Sequence, residues 1–179
     1  MTRIEPLSGP FEGPVAEDLT RMMPPGMAPI ALFRTLAKNP RVLRRFRRGS
    51  LLDPGSVSVR DREVMILRTT ARTGAEYEWG VHVAFFSGAA GLDARQIRAT
   101  VFDDPEAWTE RDRVVLALAD ELHRDARPSD ATFDALRAHF DEGQVLELLA
   151  LAGFYRCVAY VVNGAGVPLE DAAPRFPSR

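Results

Sequence analysis

Residues 63–88 read EVMILRTTARTGAEYEWGVHVAFFSG, and this stretch sets both the fold class and the chemistry. An apolar segment runs up to Arg72, Thr73-Gly74 interrupts it, and a second segment carries Glu78, Trp79 and His82. Neither segment alternates apolar and polar residues with a period of two. Both therefore predict helices, one capped by Ser58 and running over 58–72, the next over 75–87 with Gly88 as its stop. In the second helix positions 75, 78, 82, 85, 86 and 89 share a face, which stacks Glu78 and His82 beside Phe85 and Phe86. A carboxylate four residues before an imidazole is a working acid/base unit. Burial among rings disfavours charge on both groups while their contact favours the ion pair, and the two effects compete over the histidine near neutral pH. Tyr77 and Trp79 flank the pair with amphipathic rings suited to a pocket wall, a subunit contact or the core.

Working outward, Pro6, Pro10, Pro14, Pro24, Pro25 and Pro29 rule out long regular structure in residues 1–29 and predict an extended arm. That arm is either a loosely ordered leader or a contact to a neighbouring subunit through Met22, Met23 and Met27. Two short helices follow over 29–38 and 40–48, the second stopped by Gly49. Its Arg41, Arg44, Arg45, Arg47 and Arg48 read first as a solvated face, with subunit ion pairing, an anionic substrate or nucleic acid as the other options. Asp93 caps a helix to about Thr100, residues 102–108 form a loop, and Thr109 opens a helix to about His123. Residues 130–140 make an amphipathic helix. Asp141 then caps a long apolar one to about Val162, ended by Asn163-Gly164. Pro168, Pro174 and Pro177 mark an irregular tail. The result is an all-α bundle of about eight helices: an arm over 1–29, one helical domain over 30–166 and a tail over 167–179.

The 179 residues are 46% apolar and 27% charged, which suits one domain with a continuous core. Twenty-three basic against 25 acidic residues leave a formal charge of −2, so no global field points to nucleic acid or a membrane surface. No leader pattern is visible and the apolar stretches look broken short of a membrane span, so a cytoplasmic setting is expected. Cys157 stands alone, which excludes an intramolecular disulfide, and its sequence YRCVAYVV predicts an inert buried thiol. His123 and His139 lie in charged sequence and read as solvated helix residues. One histidine with two carboxylates is a sparse metal set, and neither a metal nor a cofactor is expected.

The segments 58–63 (SVRDRE) and 76–79 (EYEW) with His82 closely resemble the carboxymuconolactone decarboxylase and alkylhydroperoxidase D-like superfamily, and the likeness extends over residues 32–166. TERDRVVLALADEL, the long last helix and Asn163 add to it. Peroxidases of that superfamily carry a glutamate, a CxxC pair and a histidine in a proton relay; the same spacing falls here on Glu63, Ala75, Glu78 and His82. Both thiol positions are lost, so thiolate chemistry is not expected. What the resemblance implies is the cysteine-free branch: a helical homo-oligomer, trimer or hexamer, acting on a small molecule such as a lactone or carboxylic acid. His82 then serves as general acid/base for a lyase or isomerase, with Glu78 orienting it, Glu63 as a second carboxylate, Tyr77 as an oxyanion donor, and Trp79, Phe85 and Phe86 against the substrate. A non-catalytic oligomeric binding protein on the same frame is the alternative.

Overall fold

The computed structural model describes residues 1–178. Among them are nine α-helices, one 3-10 turn and no strand. The helices are α1 (Gly13–Thr20), α2 (Ala31–Leu36), α3 (Pro40–Gly49), α4 (Val59–Arg72), α5 (Glu76–Phe86), α6 (Ala94–Ala99), α7 (Glu110–Asp125), α8 (Asp130–Arg137) and α9 (Glu142–Ala165), with the 3-10 turn Pro105–Ala107 before α7.

The bundle is built around α4. Every residue from Asp61 to Thr70 is buried, so this helix needs neighbours on all sides, and α5, α7 and α9 supply them. Its start follows from the sequence: Ser58 Oγ accepts from the Asp61 N–H, as Thr109 does from Asp112 for α7 and Asp141 from Gln144 for α9. Polar groups on a helix buried all round must find partners. Arg60 grips Asp112 through Nε at 2.9 Å and Nη2 at 3.0 Å. Arg68 holds Asp120 at 2.6 Å through both Nε and Nη2, and Arg111 of α7 returns the same fork to Asp61 at 3.0 Å. Three two-pronged ion pairs thus lock α4 to α7, while Val64, Met65, Ile66 and Leu67 pack into the core.

Four expectations need correction. The N-terminal arm is not extended throughout, because Pro14 sits in the first turn of α1, where a missing N–H costs nothing. The arm also lies on its own chain: the Arg3 and Ile4 N–H groups donate to Ala165 O at 2.9 and 3.0 Å. Secondly, α9 runs past Asn163-Gly164 and ends at Gly166, whose left-handed φ of 60° closes the cap, while Asn163 Nδ2 donates to Thr73 O at 3.0 Å. Thirdly, Cys157 is exposed. The core face of α9 carries Leu151, Tyr155, Val158 and Val162 at steps of three and four, and position 157 points the other way. Finally, α9 is long and apolar enough by length and composition to cross a membrane; here its inner face is packed on α4 and α5.

Candidate active site

Glu63 comes from the buried middle of α4, and Glu78 and His82 from one face of α5, so the turn through Thr73 and Gly74 folds the two helices into contact. Gly74 takes a φ of +63°, which lets the chain reverse there. His82 Nδ1 lies 2.7 Å from Glu63 Oε2, and Nε2 lies 3.5 Å from Glu78 Oε1. Glu63 is in turn held by Arg62, whose Nε donates to Oε1 at 2.9 Å while its Nη1 donates to Leu52 O at 3.1 Å. Reading outward, charges alternate along a row: Arg62, Glu63, His82, Glu78.

The imidazole is 2% exposed, walled by Phe86 with its centroid at 5.0 Å and by the edge of Tyr155 at 4.9 Å. Burial on its own lowers the pKa of a histidine. The Glu63 carboxylate, and then Glu78, outweigh it and raise His82 to about 9. The raised pKa favours the imidazolium at neutral pH, with Nδ1 hydrogen-bonded to Glu63 and Nε2 at ion-pair distance from Glu78. The competition left open by the sequence is decided by the second carboxylate, which came from α4.

Glu78 is the member of the row that reaches open space. It lines a cavity of about 220 Å³ between α3, α5 and α9, together with Phe33, Phe46, Arg47, Phe154 and Tyr155. Its Oε2 is buried and makes no hydrogen bond. His82 is not in the cavity wall: Glu63 holds the ring through Nδ1, and Glu78 stands between the ring and the cavity.

The remaining sequence candidates lie elsewhere. Tyr77 projects from α5 toward the termini, accepting from the Leu32 N–H at 2.9 Å and donating to Glu170 Oε1 at 2.7 Å. Its hydroxyl is committed to the C-terminal segment, and burial pushes its pKa well up. Trp79 donates to Thr100 Oγ1 at 2.9 Å and stacks near Phe176, away from His82. Phe85 is exposed, and of the two phenylalanines it is Phe86 that touches the histidine. Arg47 and Tyr155 were not singled out in the sequence. Arg47 hid in a basic run, and Tyr155 in an apolar helix where no local signal separates a cavity wall from core. Among the described residues no group of three or more His, Cys, Asp or Glu side chains is placed to hold a metal ion.

Helices wrapped around a buried carboxylate–imidazole–carboxylate row beside an apolar cavity define a helical acid/base frame. The sequence profile of the carboxymuconolactone decarboxylase family matches residues 37–121, which includes the whole row. Three solved structures share the fold. A peroxidase-related protein with an alkylhydroperoxidase core from Ralstonia eutropha JMP134 superposes with a TM-score of 0.78 at 19% identity, covering 94% of this chain and 93% of its own. A peroxidase-related protein from Silicibacter sp. TM1040 gives 0.78 at 18% identity, with 97% and 96% covered. The debrominase Bmp8, as a cysteine-to-alanine variant bound to 2,3,4-tribromopyrrole, gives 0.73 at 18% identity, with 96% and 94% covered. No curated protein sequence matches. The middle of the chain is thus similar to the carboxymuconolactone decarboxylase family, and the whole chain has the fold of alkylhydroperoxidase-like and peroxidase-related proteins.

Proposed function

We propose that this protein is a small-molecule lyase or isomerase of the carboxymuconolactone decarboxylase-like kind, which moves protons with its own side chains. The observation that carries the reading is that Glu78, on the cavity wall, shares His82 with the buried, Arg62-bound Glu63. In such a row Glu78 takes a proton from a carbon beside a carbonyl or lactone. The His82 imidazolium compensates the charge that develops, and Glu78 then returns the proton to a different carbon. For a decarboxylation no C–H proton is removed first: CO₂ leaves, the electron pair of the breaking C–C bond stays on the substrate as an enolate, and the enolate takes a proton from the Glu78–His82 pair, which regains one from water. Positioned proton transfer of this type is worth on the order of 10²–10⁴ in rate. Thiolate chemistry has no nucleophile here, because the two positions it would need hold Ala75 and Glu78.

The test is turnover of a panel of lactone acids and β-keto acids, followed by NMR in D₂O. Wild-type protein should convert or deuterate a member of the panel, and folded His82→Ala and Glu78→Gln variants should not. Unchanged turnover in both variants would overturn the assignment. One observation favours a non-catalytic binding protein instead: His82 is almost wholly enclosed, with a carboxylate near each nitrogen. On that reading the panel binds and nothing turns over in the wild type.

We further propose that the chain assembles with copies of itself. Support comes from the outer face of α9, where Leu146, Ala150, Gly153, Cys157, Tyr160 and Gly164 form an exposed stripe at helical spacing. The stripe is self-complementary about Gly153: laid antiparallel on its copy, Leu146 meets Tyr160 and the small residues meet in the middle. A free exposed thiol in that stripe suits the reducing cytoplasm.

A further inference from the structure

Arg62 makes an ion pair that does not tie helices together. Arg60, Arg68 and Arg111 each reach across between α4 and α7, whereas Arg62 and Glu63 are neighbours on α4. Successive residues on a helix do not face each other, so the Arg62 side chain has to fold back to put Nε on Glu63 Oε1 at 2.9 Å. The effect of the pair is local. With Arg62 on Oε1 and His82 Nδ1 on Oε2 at 2.7 Å, both oxygens of Glu63 are engaged and the plane of the carboxylate is set. The same guanidinium lies 5.4 Å from the centroid of Phe86, the ring that packs on His82, and its Nη1 donates to Leu52 O at 3.1 Å. Leu52 and Ser50 belong to a loop over residues 50–57, and both line the cavity that Glu78 reaches. Leu51 in that loop holds a left-handed φ of 51°, which a leucine keeps only where its surroundings impose it. Side chains from outside the loop do so: Arg62 on Leu52 O, Glu147 accepting from the Ser56 N–H at 2.7 Å, and Gln144 Nε2 donating to Ser56 O at 2.9 Å.

We propose that Arg62 is a positioning residue that couples the loop over residues 50–57 to the proton relay, aiming Glu63 at His82 while the loop closes the cavity. When the loop lifts, Leu52 O leaves Nη1, the guanidinium loses an anchor, and Glu63 loses the orientation that its bond to His82 Nδ1 requires. The relay is fully assembled only with the loop down, which ties proton transfer to a closed site. This rests on the acid/base reading of Glu78 and His82 and names how that site is regulated.

The experiment is an NMR titration of the His82 ring nitrogens in the full chain, in wild type and in variants that change no charge. The titratable and charged groups around the ring are Glu63 and, behind it, Arg62 from α4, Glu78 on its own helix and Tyr155 from α9. Arg62→Lys keeps the cation and loses the planar fork that serves Glu63 and Leu52 together. Gly55→Ala acts from the exposed tip of the loop: the added methyl group overlaps Glu147 Oε1, so that carboxylate has to leave Ser56. The His82 midpoint should fall by about one unit in Arg62→Lys, the scale of one charge-assisted hydrogen bond, and by about half a unit in Gly55→Ala. Arg60→Lys, which breaks the fork on Asp112, is the control for a purely structural arginine: it should lower the melting temperature and leave the midpoint in place. A midpoint unmoved in Arg62→Lys or in Gly55→Ala would overturn the proposal. Should Arg62→Lys fail to fold, Gly55→Ala decides alone. Turnover of the substrate panel reports separately on the proposed function. Midpoints that fall in a protein that turns nothing over refute the lyase or isomerase and leave the coupling standing; midpoints that stay fixed in an active protein refute the coupling and leave the relay.

Discussion

His82 keeps its proton because two carboxylates outbid the desolvation of a fully enclosed ring. That has a consequence for stability. A histidine whose folded pKa is about 9, against 6.5 for the free side chain, stabilises the fold fully below pH 6.5. This contribution is lost as pH rises through 9, and its full size is on the order of 3 kcal/mol. Melting temperature should therefore fall between pH 6.5 and pH 9.5, and Glu63→Gln should flatten that slope by removing the main partner. A wild-type melting temperature that climbs over this interval would contradict the charged imidazole. Glu78→Gln is the complementary change. It keeps the shape and removes the charge beside the cavity, so turnover should drop by on the order of 10²-fold or more while the melting temperature changes little.

At the scale of elements, the site depends on how firmly α4 and α5 are clamped. Arg68 is nearly buried and binds Asp120 with a fork, Asp103 through Nη2 at 2.7 Å and Thr100 O at 3.1 Å. Its fork on Asp120, joined by Arg72, holds that carboxyl below the usual range despite burial. Arg68→Ala strands these partners and should cost about 3–5 kcal/mol in urea denaturation, as for other broken buried pairs. Arg95→Ala, at a surface pair, should change little. On the far side of α5, Gly80 leaves room for the Pro174 carbonyl, and the tail behind it brings the Phe176 ring to 5.2 Å from Trp79. In Gly80→Ala the added methyl group displaces residues 173–176, which limited proteolysis should register as faster tail cleavage, with a loss of about 1–3 kcal/mol. These elements were mostly legible beforehand. Ser58, Thr109 and Asp141 announced their helices because capping is a local contact between residues three apart. Other features were not, because they depend on distant chain: the true end of α9 at Gly166, the outward turn of Cys157, and the engagement of Tyr77 by Glu170. Glu63 was reached through family spacing, whereas nothing local distinguished Arg47 from the solvated arginines around it.

For the whole molecule, α9 offers one face to the core and leaves Leu146, Ala150, Gly153, Cys157 and Tyr160 exposed on the other. If that outer stripe pairs with a copy, Tyr160→Glu and Leu146→Glu should each shift the light-scattering mass toward the monomer without altering the helical content. Wild-type protein that is monomeric in solution and partitions to lipid vesicles would assign the stripe to a membrane instead. The relay itself needs no partner and no known substrate to be examined. The most direct measurement is an NMR titration of the His82 ring nitrogens in the intact protein. A midpoint near 9 that moves down in Glu63→Gln is the expected result; a midpoint at or below 6.5 in the wild type would contradict the charged carboxylate–imidazolium–carboxylate row.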